Sequence, residues 1–209
     1  QKFQTIGADC SMRESLTLHQ GPGLNLMFQT AAPLSWKYDA SIDRTQYVLQ
    51  PGYTLYVRGN YEADSCGSLL KPEILKLLDI TVCGLKNGCQ VQLPLAEFLQ
   101  LTGRKITEPN KDSARYRMKE HTEYLKSLSM DWVENEGEYV YRDVQLFDDI
   151  AFRGGCVCAR FSEKMAEYLL DRPAMPLPLD LLAIDGRSPH SYFLGRRCLL
   201  HRAINKGQE

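Results

Sequence analysis

Between residues 71 and 85, apolar side chains recur at steps of three and four. Ile74, Leu75, Leu77, Leu78, Val82 and Leu85 mark one amphipathic helix there. Pro72 suits its first turn and Gly88 offers a stop. Residues 91–93 form a short strand by composition, and Pro94 opens a second helix over 95–102, closed by Gly103. A third helix runs over 113–127 with Asp112 or Ser113 as N-cap. It aligns Ala114, Met118, His121, Leu125 and Leu128 on one face.

Alternation then predicts strands over 131–133 and 139–146, with Asn135-Glu136-Gly137 as the turn between them. A further strand, 156–161, follows the Gly154-Gly155 turn. Ser162 starts a helix over 163–170, and a proline-rich connector over 173–178 leads to 179–184. Ser188 and Pro189 open a last helix over 190–204. Upstream, residues 46–49 and 53–57 read as two strands joined through Gln50-Pro51-Gly52-Tyr53. Residues 1–33 read as an irregular arm with one short strand at 24–28.

Three helices followed by a hairpin are the order of a winged helix-turn-helix, predicted over residues 69–163. The expected fold is therefore α+β. A β-rich N-terminal arm or small sheet (1–68) precedes a winged-helix DNA-binding domain with a C-terminal basic helix (69–209).

Composition changes this picture little, but the distribution of charge changes it more. The 209 residues are 44% hydrophobic, ample for a packed core, and carry a net charge of only −1. No apolar run approaches the eighteen or so residues of a membrane span, so no membrane association is expected. Residues 103–130 hold seven Lys or Arg against four acids, and residues 186–206 hold five against none. Residues 131–149 hold seven acids and the single base Arg142. Two basic segments flanking an acidic one allow a positive face on a neutral molecule.

A helix-turn-helix presents its third helix to base edges and its neighbouring loops to phosphates. The candidate DNA-facing residues are thus Lys111, Ser113, Arg115, Lys119, Thr122 and Lys126. Arg115 and Lys119 are expected to reach bases, while Arg104, Lys105 and Lys111 are expected on the backbone. The bland reading makes these solvated charges, with Glu120 and Glu123 as helix partners. The late helix adds Arg187, Arg196 and Arg197 as a second contact, against the alternative of a terminal amphipathic helix with Phe193, Leu200 and Ile204 in the core. The acidic hairpin tip, Glu134, Glu136 and Glu138, is repelled by phosphate, so this wing points away from DNA or serves another contact.

Seven cysteines form an odd set without the density of a disulfide scaffold, which favours reduced thiols and a cytoplasmic protein. Cys156 with Cys158, and Cys83 with Cys89, lack the spacing of zinc knuckles. The four histidines are scattered, and no H-E-x-x-H, Walker-type, G-x-S-x-G or G-x-G-x-x-G motif occurs. Neither an enzyme nor a cofactor or metal is expected.

The stretch 70–161, then FSEKMAEYLLD, then SPHSYFLGRRCLLHRAIN resembles the winged-helix domains of bacterial plasmid replication initiator proteins. In that family a wing strand runs into such a helix start, and a late block resembles Ser188, Pro189, Ser191, Leu194, Gly195, Arg196 and Arg197 here. The resemblance covers about two thirds of the chain and is one of order and local wording. It implies sequence-specific binding to double-stranded origin repeats in plasmid or mobile-element replication, with host replication proteins as partners and a homodimer form. A winged-helix transcriptional regulator and a winged-helix protein-interaction module are the alternatives.

Overall fold

A computed structural model describes residues 4–5, 15–19, 35–60, 71–85, 89–104, 111–134, 137–171, 174–184 and 189–206. The strand expected at 24–28 lies outside these residues. The fold is α+β, and the described residues pack helices among three sheets.

The first sheet is antiparallel and five-stranded: β3 (Ser35–Asp39), β4 (Arg44–Gln50), β5 (Tyr53–Arg58), β7 (Leu128–Glu134) and β8 (Tyr139–Gln145), paired in that order. The second has the order β1 (Gln4–Thr5), β6 (Gln90–Pro94), β10 (Cys156–Phe161), β9 (Phe147–Arg153), with β1 parallel to β6 and the rest antiparallel. The third is a ribbon of β2 (Ser15–His19) and β11 (Ala174–Pro178). β11 falls where the sequence predicts a connector. Its two prolines, Pro176 and Pro178, are two positions apart, so both can turn their missing donors away from β2.

These pairings tie the first part of the chain to the later part. β1 joins β6, β2 joins β11, and β5 joins β7, so strands on either side of residue 68 share sheets. They also correct the expected wing. The hairpin of β7 and β8, predicted to follow the third helix as its wing, completes the five-stranded sheet instead. The strand that follows it, β9, is unforeseen and pairs with β10. Glu134, expected at an exposed acidic tip, is buried, where it accepts hydrogen bonds from Trp132 Nε1 (3.0 Å) and the Tyr168 hydroxyl (2.5 Å). The Trp132 ring stacks on Tyr141 at 4.4 Å between centroids, with Tyr168 edge-on. A carboxylate needs such donors to leave water, and the local acidic run conceals them.

Among the described residues six helices fill the rest: α1 (Pro72–Gly84), α2 (Leu95–Leu101), α3 (Lys111–Lys126), α4 (Glu163–Leu170), α5 (Leu179–Leu182) and α6 (Pro189–Lys206). α1 is the central one. The sequence marks a single apolar stripe on it, yet its residues from Ile74 to Gly84 are all buried. Its polar residues are answered individually. Thr81 donates back to Leu77 O (2.6 Å), Lys76 donates to Ile184 O (2.6 Å) and lies 5.3 Å from the Tyr192 ring centroid, and Asp79 meets α6. α4 starts as expected, with the Ser162 hydroxyl accepting from Met165 N–H at 3.3 Å.

α2 ends on Gly103 at φ +71°, a left-handed turn in which Gly103 N–H bonds Gln100 O (3.1 Å) and Arg104 N–H bonds Leu99 O (2.7 Å). A side chain there would also crowd Ala183. This paired capping reverses the chain and directs Arg104 back toward Glu73 on α1.

Candidate nucleic-acid interface

α3 lies against β9, and its inner face is the one the spacing predicts: Ala114, Met118, His121 and Leu125 are buried, joined by Thr122. Asp112 sits in its first turn and Lys126 in its last, both favourable to the helix dipole. The exposed face carries Ser113, Arg115, Tyr116, Arg117, Lys119, Glu120, Glu123 and Lys126.

Beside α3, β9 and β10 form a two-residue hairpin with Gly154 at φ +57° and Gly155 at φ +80°. Two successive left-handed residues make the turn whose twist matches the strands, which explains the glycine pair. Gly155 O accepts from Leu95 N–H at 3.0 Å, tying the tip to the start of α2. Arg153 leads into the turn. On this hairpin Asp149 is flanked by Arg153 at 2.7 Å and by Lys126 of α3 at 3.1 Å, and Arg160 approaches Asp148 at 3.5 Å. Hydrogen bonds from Lys126 foremost, then from Arg153, hold the Asp149 carboxyl below its ordinary range. The acid orders two cations on one surface without cancelling both.

Of the residues expected to face DNA, Arg115, Lys119 and Lys126 are exposed together along α3, and Lys111 is half-buried at its start. Arg115 approaches Asp112 at 3.7 Å, and Ser113 accepts from Arg117 at 2.9 Å. Thr122 departs from the expectation. It is buried, and its hydroxyl donates to Lys119 O at 2.9 Å, because its position turns toward the core beside His121. Arg104 is partly exposed and ion-paired with Glu73. Lys105 and Arg187 lie outside the described residues.

Arg196 is the largest correction. It is 1% exposed and forms a two-point pair with Asp79, Nε to Oδ2 at 2.8 Å and NH2 to Oδ1 at 2.9 Å, so it cannot serve as a DNA contact in this arrangement. The Tyr192 hydroxyl donates to the same carboxylate at 2.6 Å. Burial first, then the Asp79 charge, pushes the Tyr192 phenol well above its ordinary range. Neighbouring Gly195 lets α6 approach α5, since a Cβ there would meet the Leu181 side chain. Arg197 is exposed one position on, and Phe193 is half-buried against the core. Leu200 and Ile204 have side chains outside the description. The Gly-Arg-Arg block thus contributes at least one residue to docking α6 on α1.

Glu73 and His121 meet on the inner side of α3. His121 Nε2 lies 3.0 Å from Glu73 Oε2, and Arg104 pairs with the other oxygen. Burial lowers the His121 pKa to about 4; Glu120 opposes this, while Lys71, Arg117 and Arg104 reinforce it. At neutral pH the ring is uncharged and donates Nε2–H to the carboxylate.

Sequence reasoning passed over Tyr116, Arg117, Arg153 and Arg160. Arg153 stands directly before a recognised Gly-Gly turn, but assigning the wing to the preceding hairpin removes the reason to notice it. Cys156 and Cys158 share one half-buried face of β10, and Cys83 is buried while Cys89 is exposed. Among the described residues no group of His, Cys, Asp or Glu is arranged to hold a metal ion, and no helix is long and apolar enough to cross a membrane.

No protein-family model and no curated protein sequence matches the chain. Among solved structures, it is similar to two crystal structures of domains 2 and 3 of RctB. One, of selenomethionine derivatives, has a TM-score of 0.45 at 13% identity, covering 82% of this chain and 71% of the other. The second has a TM-score of 0.44 at 16% identity, covering 82% and 69%.

Proposed function

We propose that the chain is a non-enzymatic, sequence-specific binder of double-stranded DNA built on a winged helix-turn-helix. In this reading α3 enters the major groove, and the β9–β10 hairpin, not the β7–β8 hairpin, lies along the adjacent backbone. The supporting observation is the placement of α3 against β9, where Lys126 at the end of the helix shares Asp149 with Arg153 of the hairpin, while Arg115 and Lys119 lie exposed along the same helix. The order α1, β6, α2, α3, β9, β10, with β6, β10 and β9 in one sheet, is the winged-helix order once β7 and β8 are taken as an insertion completing the other sheet. Cations on the helix flanks and hairpin suit phosphate neutralisation, and the helix face between them suits base edges.

The more specific role, initiation of plasmid or mobile-element replication with host replication proteins as partners, rests on the sequence resemblance. A transcriptional regulator is the second reading and shares the same DNA interface. A protein-interaction module is the third reading; of the acidic residues that favour it, Glu134 is buried in the five-stranded sheet, whereas Glu138 is exposed.

Fluorescence anisotropy of the full chain against a mixed-sequence duplex, titrated over salt, tests the binding itself. Affinity should fall steeply with salt, with a logarithmic slope of about −0.9 per phosphate neutralised. A chain that binds no duplex at low salt is not a DNA-binding protein. Selecting bound fragments from the source replicon then separates the roles: tandem repeats beside an AT-rich tract mark an initiator, and a promoter operator marks a regulator.

A further inference from the structure

On α3 the buried residues Ala114, Met118, His121, Thr122 and Leu125 define the inward direction. At about 100° per residue, Tyr116 points directly opposite to it. Arg115, Lys119 and Lys126 lie about 60 to 100° to one side of Tyr116, and Arg117 lies about 100° to the other. The outermost line of the helix is therefore Tyr116 with Asp112, Glu120 and Glu123, and the cations are its two flanks.

Tyr116 is 64% exposed, and among the described residues its ring stacks on no other aromatic. Core packing and the aromatic cluster around Trp132 do not use it. A large aromatic at the solvent apex of a helix, bordered by cations on both sides, is placed where a ligand would sit.

We infer that Tyr116 is a base-reading residue of this protein and that its ring packs on the C5-methyl group of a thymine, while Arg115, Lys119 and Arg117 hold the phosphates on the two sides. This rests on the DNA-binding reading and changes its assignment of roles, since the cations otherwise expected to read bases become backbone contacts. The geometry favours it because a helix in the roughly 12 Å major groove turns its apex to the bases and its flanks to the strands. Thymine is the base that presents an apolar group there, and a phenol ring can cover it without losing the hydroxyl's access to water. Three acids on the same line make guanine, whose edge offers only acceptors, a poor partner for the apex.

The test begins with the full chain and a pool of random-sequence duplexes, from which the tightest binders are selected. Each thymine of the selected duplex is then replaced by deoxyuridine, which removes only the methyl group. The parent should lose about four-fold in affinity at one or two positions, the value of one buried methyl group. Tyr116→Ala should bind the unmodified duplex about four-fold more weakly or worse and show no further loss with deoxyuridine at those positions. Tyr116→Phe should retain both affinity and methyl sensitivity. If Tyr116→Ala binds like the parent, or keeps its methyl sensitivity, Tyr116 does not read thymine even though DNA binding stands. A parent that selects no duplex overturns this inference and the DNA-binding reading together.

Discussion

Asp79 and Arg196 show how a single side chain can mislead when it is read by type alone. An arginine in an acid-free helix suggests an anion contact, yet its partner is 117 positions away on α1. Removing one member leaves a buried charge without its partner, a cost of about 3 to 5 kcal/mol. Arg196→Met alone and Asp79→Leu alone should each lower the unfolding free energy from urea titration by that order, while the double variant should recover much of the loss. A double variant whose loss equals the sum of the two single losses would show that the pair is not coupled.

His121 gives a second residue-scale expectation. Unfolded, its imidazole protonates near 6.5; folded, near about 4. Between these values the unfolded chain binds the extra proton, so the contribution is complete above 6.5 and is lost as pH falls toward about 4. From pH 7 to pH 5 it should reduce stability by about 2 kcal/mol. Denaturant melts of the parent and His121→Gln should differ in this pH dependence, with the variant flatter. Parallel profiles would remove His121 as the cause.

At the scale of elements, what could be read from sequence depended on whether the deciding interaction was local. α1 to α4 fall within a few residues of their expected spans, because caps such as Ser162 and stops such as Gly103 act within one turn of themselves. Sheet membership is different. The hairpin of β7 and β8 has sound turn chemistry, but that chemistry does not say that β7 will pair with β5 across some 75 positions, as Tyr56 and Asp131 do through a 3.1 Å hydrogen bond. Hence the element was found and its place was not. The interface inherited the same limit: the helix was found by periodicity, whereas Arg153 depends on which hairpin flanks it. Arg153→Ala should weaken duplex binding across sequences and reduce the salt slope by about one. Glu138→Gln, on the other hairpin, should change neither. If Glu138→Gln strengthens binding while Arg153→Ala is silent, the two hairpins have been assigned the wrong way round.

For the molecule as a whole, the expected boundary at residue 68 separates strands that share sheets. Tyr47 and Leu55 from the early strands and Leu128, Met130 and Trp132 from β7 belong to one buried cluster with α1 and α3. Unfolding should therefore be a single cooperative transition, with tryptophan fluorescence and far-ultraviolet dichroism coincident. Two separated transitions would mean that the early strands and the later domain melt independently.

The order in which the chain is synthesised gives the union of α1 with α6 a further meaning. Ribosomes add about 5 to 20 residues per second, so Asp79 precedes its arginine by roughly 6 to 23 s. During that interval the central helix lacks the cation its buried carboxylate requires, and β2 lacks β11. Chains arrested before residue 189 should be cut readily by protease in the α1 region, and chains that include α6 should resist. Completion of the interior is thus a late event, governed by the arrival of the carboxy-terminal part.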